Sequence, residues 1–143
     1  MLLECEAIAK AVPQVREQTI EELEQINKKY AEARAENNAD LLLKVNRKFH
    51  LLAYQDSNAP VLLELINQLW DRVSPYYNIM FRQSLAPHPT VGVNYHDQLI
   101  FAIIDRDADK AKYWIKADLV KSAEFVLELF DLYQVNNANK PGQ

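Results

Sequence analysis

Glycine occurs only twice in this chain of 143 residues. Tight hairpin turns and the loops that bind phosphate both depend on glycine, because its backbone reaches conformations that other residues avoid. Alanine, leucine, glutamate and lysine are abundant instead, and these are strong helix formers. A hydrophobic fraction of 49% in a chain of this length suffices for one domain with a substantial core. The composition therefore predicts a single all-α domain.

The charge balance and the cysteine content narrow the range of functions. Sixteen basic and twenty acidic residues give a net charge of −4, and without a basic cluster this chain alone is a poor candidate for binding nucleic acid. The single cysteine, Cys5, cannot form an internal disulfide and fits a reducing compartment. No apolar run reaches the roughly 18 residues of a membrane span, and no signal peptide is readable. We therefore expect a cytoplasmic protein with no membrane partner.

Apolar residues recur at helical spacing in six segments that are separated by helix breakers. Pro13 ends the first segment, and Asn37 and Asn38 separate the second from the third. We expect Pro75 to kink or break the fourth segment. The predicted helices cover residues 2–12, 19–35, 39–55, 60–80, 90–106 and 108–133.

Three of these predicted helices carry residues suited to capping at their start. Thr19 and Glu22 have the spacing of a capping box at the second helix. Asn58 is suited to be the N-cap of the fourth helix, with Pro60 in its first turn. Asp107 can cap the sixth helix in the same way.

Three of the predicted helices place polar residues on an otherwise apolar, inward face. Asn46 and His50 lie one turn apart at the edge of such a face, while His96 and Asp118 each fall at the centre of one. A carboxylate buried alone is costly, so Asp118 requires a cation, a donor network or a shifted pKa. In a bundle the four residues can converge on one point. Two imidazoles, a carboxylate and an amide oxygen suit a divalent metal such as zinc, nickel or manganese.

The order of these residues resembles that of one known family. The segments concerned are Asn46-x3-His50, Asn58 ahead of the Leu69-Trp70-Asp71-Arg72 run, and the stretch from His96 through Arg106-Asp107-x3-Ala111. Together they are similar to the ligand-binding domain of GntR-type bacterial transcription regulators, the FadR C-terminal domain (FCD) family. The resemblance covers nearly the whole chain. It implies an all-α antiparallel bundle of six to seven helices, usually dimeric, that senses a small metabolite, commonly a carboxylate.

The resemblance also implies a metal site. Many members of the family bind a divalent metal through an Asp and three His from separate helices. By position these ligands are Asn46, His50, His96 and Asp118. Asn46 stands where the family usually has Asp, and Asp118 stands where it usually has the last His. Asp118 therefore restores the negative charge that is lost at Asn46.

By the same resemblance, residues 1–135 form an effector-binding and dimerisation domain, and residues 136–143 form a flexible tail. The DNA-binding winged helix-turn-helix of the family precedes this domain, and we expect that it is absent from this chain, which would reach DNA only through that missing part. We expect a homodimer in which the effector changes the spacing of the DNA-binding domains. Arg72 and Tyr76 are predicted to bind the effector, and Arg72 and the metal would hold its carboxylate.

Two other interpretations stay open. The chain can be a ligand-free helical dimerisation or interaction module in which His50, His96 and Asp118 form a buried hydrogen-bond network. It can also be a small metalloenzyme on the same scaffold. However, the sequence contains no HExxH, GxSxG, CxxC or P-loop pattern and no catalytic group beyond the metal ligands. We therefore expect that the protein is not an enzyme.

Overall fold

The computed structural model describes residues 1–84 and 93–138, and this part of the chain folds into six α-helices without any β-strand. The helices form an antiparallel bundle, so the predicted fold class is confirmed. Single 3-10 turns at Val12–Gln14 and Gln55–Ser57 follow the first and third helices. The helices are α1 (Leu2–Ala11), α2 (Glu17–Ala35), α3 (Ala39–Tyr54), α4 (Pro60–Ser84), α5 (Val93–Ile104) and α6 (Ala108–Ala138).

Two of the connections between helices follow the sequence signals. Asn37, between α2 and α3, has a φ of 55°, and Asn38 caps α3 by accepting a hydrogen bond from the backbone N–H of Leu41 at 3.0 Å. At the start of α6, the Asp107 carboxylate accepts a hydrogen bond from the backbone N–H of Lys110 at 2.9 Å. The predicted break after α2 and the predicted cap of α6 are therefore both observed.

Two predicted caps are wrong, because their side chains bind partners that are distant in sequence. Helix α2 already begins at Glu17, so Thr19 lies inside it, and its hydroxyl donates to Asp56 Oδ2 at 2.7 Å. Asn58 has a φ of 53° and ends the 3-10 turn after α3. Its side-chain amide donates to Gln14 Oε1 at 2.8 Å instead of capping α4.

Helix α4 does not break at Pro75 but continues from Pro60 to Ser84. A proline inside a helix removes a backbone hydrogen bond and costs about 3 kcal/mol. Beyond the proline, α4 buries Met80 and Phe81 in a cluster with Tyr30. Complete burial of side chains of this kind stabilises a fold by about 1.5–3 kcal/mol each. Packing of the second half of α4 therefore outweighs the loss at the proline.

The ends of α5 and α6 differ from the prediction. Helix α5 ends at Ile104 rather than at residue 106, and its predicted start at residue 90 lies outside the described residues. Helix α6 continues to Ala138, beyond the predicted end at residue 133. Residues 136–138 of the expected tail are therefore helical, and residues 139–143 lie outside the described part of the chain.

Two apolar clusters meet at the centre of the bundle. The larger cluster includes Phe49 and Leu99, and the smaller one includes Tyr30 and Phe81. The ring of His96 lies between them, because it stacks on Phe49 with a centroid distance of 3.9 Å and lies 4.8 Å from the ring of Tyr30. Polar residues of α3, α5 and α6 are thus enclosed by apolar side chains from both clusters.

Candidate metal centre

Three polar side chains from three helices meet at the junction of the two clusters. They are His50 of α3, His96 of α5 and Asp118 of α6, and we call them the His/His/Asp triad. Nε2 of His50 lies 3.2 Å and Nε2 of His96 lies 3.7 Å from Oδ2 of Asp118. One potential ligand atom from each residue lies within 4.8 Å of the other two, and no member is more than 5% exposed. These three predicted ligands therefore do converge, while metal binding itself stays a prediction.

The apolar periodicity of the helices directs these side chains inward. His96 precedes the buried Leu99 and Ile103 by three and seven residues, so all three lie on one face of α5. Asp118 follows the buried Ile115 by three residues on α6. The pattern of each helix leads one to expect an aliphatic side chain at position 96 of α5 and at position 118 of α6. Both helices bury a polar side chain there instead.

His50 has a hydrogen-bonding partner for each ring nitrogen. Its Nδ1 lies 3.3 Å from the hydroxyl of Tyr54, one turn further along α3, and its Nε2 faces Asp118. With the proton on Nε2, the ring donates to the carboxylate and accepts a hydrogen bond from Tyr54. Burial raises the pKa of the Tyr54 hydroxyl, and the charges of Glu4 and Asp118 raise it further, so this group stays a donor. His50 is therefore oriented and satisfied without a metal.

His96 is in the opposite situation. Neither of its ring nitrogens has a hydrogen-bond partner in the described part of the chain, and 3.7 Å from Asp118 is too long for a hydrogen bond. Burial lowers the pKa of His96 to about 3, with Asp118 opposing this shift and His50 adding to it. The imidazole is therefore neutral at pH 7, which is the form that binds metal ions. An unsatisfied buried polar group of this kind costs about 1–3 kcal/mol.

Asp118 brings a negative charge into the same interior. Within the described residues no lysine or arginine forms an ion pair with it. Its charge adds to the effect of burial in raising the pKa of the Tyr30 and Tyr77 hydroxyls. Two imidazoles and a carboxylate that has no lysine or arginine partner in this part of the chain form a donor set suited to a positive charge. These residues therefore fit a divalent cation.

Asn46, the fourth predicted ligand, is buried one turn before His50 on the same side of α3. It therefore lies next to the part of α3 that carries His50 into the His/His/Asp triad. Its amide oxygen is a neutral and weaker donor than a carboxylate. A role for Asn46 at the metal, as a direct ligand or through a bound water, stays a prediction.

The two predicted effector-binding residues lie on the outer face of α4. Arg72 is exposed, and Tyr76 is 46% exposed, with its ring packed edge-on against Phe130 at a centroid distance of 5.8 Å. Tyr76 lines a mostly apolar groove of about 740 Å³ between α1, α4 and α6. The structure does not bring Arg72 or Tyr76 into the His/His/Asp triad, and their role in effector binding stays a prediction.

Trp70 separates this groove from the triad. Its ring lies 5.1 Å from that of His50, and it also lines the groove. The indole N–H donates to Glu4 Oε1 at 3.1 Å and so ties α4 to α1. The sequence did not point to Tyr54 or Glu4 as neighbours of this site. Tyr54 follows His50 by four residues and was detectable from that spacing, whereas no local signal links Glu4 to a residue 66 positions away.

Within the described residues, no helix combines the length and the apolar character that crossing a lipid bilayer requires.

Comparisons with known proteins agree with one another. The model of the FCD domain family matches residues 1–120. The HTH-type transcriptional regulator McbR of Escherichia coli (strain K12) is 35% identical over 79 residues, which cover 55% of this chain and 36% of that protein. A solved structure, E. coli McbR/YncC, is similar with a TM-score of 0.78 and 25% identity over 90% of this chain and 64% of that chain.

The chain thus spans only about a third of the curated regulator that it matches. The family match, in contrast, extends over most of the chain and covers α1 to α5 and the first part of α6. It also contains every member of the His/His/Asp triad. The chain belongs to the FCD domain family, the C-terminal domain type of GntR/FadR regulators.

Proposed function

We propose that this chain is the ligand-sensing domain of a GntR/FadR-type bacterial transcription regulator, in which the His/His/Asp triad holds a divalent metal. The observation that carries this proposal is the pair of unpartnered ring nitrogens on His96. A metal bound to Nε2 would satisfy one of them and would supply the positive charge that Asp118 lacks.

The alternative, a ligand-free module with a buried hydrogen-bond network, is supported by His50. Both nitrogens of His50 have partners without any metal. The same network leaves His96 with none, and a fully buried imidazole without a partner is an unusual way to fix packing. The metal-binding interpretation accounts for both histidines, so we favour it.

The donor set suits zinc, nickel or manganese, because imidazole nitrogen and carboxylate oxygen are ligands for all three. Three protein ligands leave coordination positions open, and a bound metal would there attract the carboxylate of a small effector. Asn46 would complete the site from α3, either as an oxygen ligand or through a bound water. The matches are to a family of transcription regulators, and we therefore propose a sensing role rather than catalysis.

The remaining parts of the proposal follow from the family. The domain would act as a homodimer in the cytoplasm, and it would reach DNA through a separate N-terminal domain. Binding of a carboxylate effector would favour one arrangement of the dimer over another. Its affinity for the effector must differ between the two arrangements for this to work.

The direct test is elemental analysis of the purified protein and of two variants. We expect about one equivalent of zinc, nickel or manganese per chain in the wild type, because the triad offers one three-ligand site. His96→Ala should lose the metal. Asp105→Ala should retain it, because Asp105 is exposed and lies just after the end of α5. The proposal would be contradicted by a wild type that contains no metal and whose melting temperature does not change when zinc, nickel or manganese is added. Full metal content in His96→Ala would also contradict it.

The effector is tested by thermal shift with a defined pair of probes, succinate and its neutral analogue succinamide. Metal-loaded protein should be stabilised by succinate and not by succinamide, because only the former has a carboxylate to bind the metal. Protein treated with chelator and then dialysed should respond to neither. Equal stabilisation by succinate with and without metal would refute the metal-supported carboxylate site.

A further inference from the structure

Tyr54 is the last residue of α3, and its hydroxyl lies beside one ring nitrogen of the His/His/Asp triad. The hydroxyl oxygen is 3.3 Å from Nδ1 of His50, and the Tyr54 side chain is fully buried. Tyr54 follows His50 by four residues, so the two side chains lie one turn apart on the same face of the helix. The backbone of α3 therefore holds the hydroxyl next to the imidazole.

The two ring nitrogens of His50 have different surroundings. Nε2 lies 3.2 Å from Asp118 Oδ2, inside the triad, whereas Nδ1 faces the Tyr54 hydroxyl. A metal that is shared with Asp118 would reach the His50 ring through Nε2, because the hydroxyl occupies the side of the other nitrogen. An imidazole that binds a metal through Nε2 is neutral and carries its proton on Nδ1. Tyr54 is therefore placed at the nitrogen that must hold the proton.

A hydroxyl group can pair with either neutral form of the ring, because it has one hydrogen and two lone pairs. It donates to Nδ1 when the ring proton is on Nε2, and it accepts from Nδ1–H when Nε2 binds a metal. Burial, together with the charges of Glu4 and Asp118, raises the pKa of the Tyr54 hydroxyl well above its ordinary value, so the oxygen keeps its hydrogen. The negative charge of Glu4 would attract that hydrogen once the oxygen accepts from the ring.

Among the described residues, His96 has no such hydrogen-bonding partner at either ring nitrogen. Its ring is held by packing instead, since it stacks on Phe49 with a centroid distance of 3.9 Å and lies 4.8 Å from the ring of Tyr30. Stacking fixes the plane of a ring but does not select which nitrogen carries the proton. The two imidazoles of the triad are thus prepared differently, and His50 is the one whose free nitrogen is set by a hydrogen bond.

We propose that Tyr54 is a positioning residue of the metal site, which binds Nδ1 of His50 and so presents Nε2 of the same ring to the metal beside Asp118. This inference rests on the proposed function, and it adds the ligand atom of His50 and a residue outside the set of ligands. Tyr54 acts through His50 and does not bind the metal itself. Groups that hydrogen-bond to a metal-binding histidine fix the tautomer and the orientation of its ring, and their loss typically weakens metal binding about 10–100-fold.

The first test measures the affinity for zinc by competition with a chromophoric chelator. Tyr54→Phe removes only the hydroxyl, and we expect it to raise the zinc Kd about 10–100-fold. Tyr77→Phe is the matched control, because it removes a phenolic hydroxyl that is hydrogen-bonded to Ser122 and not to a member of the triad. Tyr77→Phe should therefore bind zinc as tightly as the wild type does.

A second measurement identifies the protonated nitrogen of His50, which a merely structural role of Tyr54 would not determine. Long-range proton–nitrogen correlation spectra of protein with isotope-labelled histidine report this directly. In the zinc-loaded wild type, His50 should carry a proton on Nδ1 and none on Nε2. At saturating zinc, the Nδ1–H resonance of Tyr54→Phe should lie at a lower chemical shift, because its hydrogen bond to the hydroxyl is missing. The spectrum of the wild type tests the proposal even if Tyr54→Phe does not fold.

The possible outcomes separate this inference from the proposed function. Equal zinc affinity of the wild type and Tyr54→Phe would overturn the inference and leave the metal site in place. The same holds for equal weakening by Tyr54→Phe and Tyr77→Phe, and for a zinc-loaded wild type in which His50 keeps its proton on Nε2. A wild type that binds none of zinc, nickel and manganese would overturn the proposed function and this inference together.

Discussion

Asp56 and Asp118 are both buried carboxylates, yet their surroundings differ. Asp56 accepts hydrogen bonds from the Thr19 hydroxyl at 2.7 Å, from the backbone N–H of Arg16 at 3.1 Å and from the Arg16 guanidinium at 2.8 and 2.7 Å. Asp118 faces two imidazoles, and His96 is too far away to donate. Burial raises the pKa of Asp56, but the bonds from Thr19 and Arg16 outweigh it and hold that pKa below its ordinary value.

The difference distinguishes a group that maintains the fold from a group that is suited to a ligand. The partners of Asp56 lie within the chain and are complete, and they join α2 to the turn after α3. The surroundings of Asp118 lack a cation and contain an unsatisfied imidazole, so they destabilise the fold when no ligand is present. Departures of this kind from a satisfied interior are typical of functional sites.

The largest expected effect is the difference in stability between variants of the two carboxylates, measured in the presence of chelator. Asp56→Asn should lower the free energy of unfolding by about 3 kcal/mol, because it leaves Arg16 and Thr19 without their charged acceptor. Asp118→Asn should change it by less than about 1 kcal/mol, because it also removes an uncompensated buried charge. Urea denaturation measures both, with Asp105→Asn as an exposed control. Equal losses of unfolding free energy for Asp56→Asn and Asp118→Asn would contradict the proposed difference between the two carboxylates.

A smaller effect is expected at the two histidines of the triad. In metal-free protein, His96→Leu should stabilise the fold by about 1 kcal/mol, because it removes two ring nitrogens that have no partner. His50→Leu should destabilise it by about 1–2 kcal/mol, because Tyr54 and Asp118 each lose a partner. Thermal unfolding in chelator compares the two variants, and destabilisation by His96→Leu would imply a hydrogen bond to that ring.

The smallest expected effect is a loss of stability in acid. Since the folded-state pKa of Asp56 lies below that of the unfolded chain, its contribution to stability is complete above about pH 4 and is lost as the pH falls through the folded pKa. The wild type should therefore lose more stability than Asp56→Asn on going from pH 5 to about pH 3. Urea midpoints at both pH values measure this difference, and parallel pH profiles would contradict it.

The sequence predicted the features that depend on local pattern. The helical periodicity located the helices, and the polar residues in the apolar stripes of α3, α5 and α6 indicated a meeting point at which His50, His96 and Asp118 are indeed found together. Their chemistry as metal ligands stays a prediction, and so does the part of Asn46. Arg72 was assigned to the effector through the family resemblance; its side chain is exposed, and its role in effector binding stays a prediction.

The features that failed depend on partners far along the chain. Thr19 has the spacing of a capping box, but it donates to a carboxylate 37 residues away. Asn58 likewise binds Gln14, 44 residues away, instead of capping α4. Of the kink or break expected at Pro75, the break does not occur, because the second half of α4 packs against Tyr30 of α2, and the kink stays a prediction. Tertiary contacts of this kind override local preference, and one sequence does not reveal them.

The position of Trp70 has a mechanical consequence. Its ring lies beside His50, while Leu69, the residue that precedes it on α4, is 46% exposed at the surface. An α-helix is stiff across its own diameter, because its backbone hydrogen bonds hold adjacent residues in a fixed relation. A movement that carries Trp70 towards or away from His50 therefore carries Leu69 by the same distance. Helix α4 thus couples the position of a side chain in the interior of the bundle to that of a side chain on its surface.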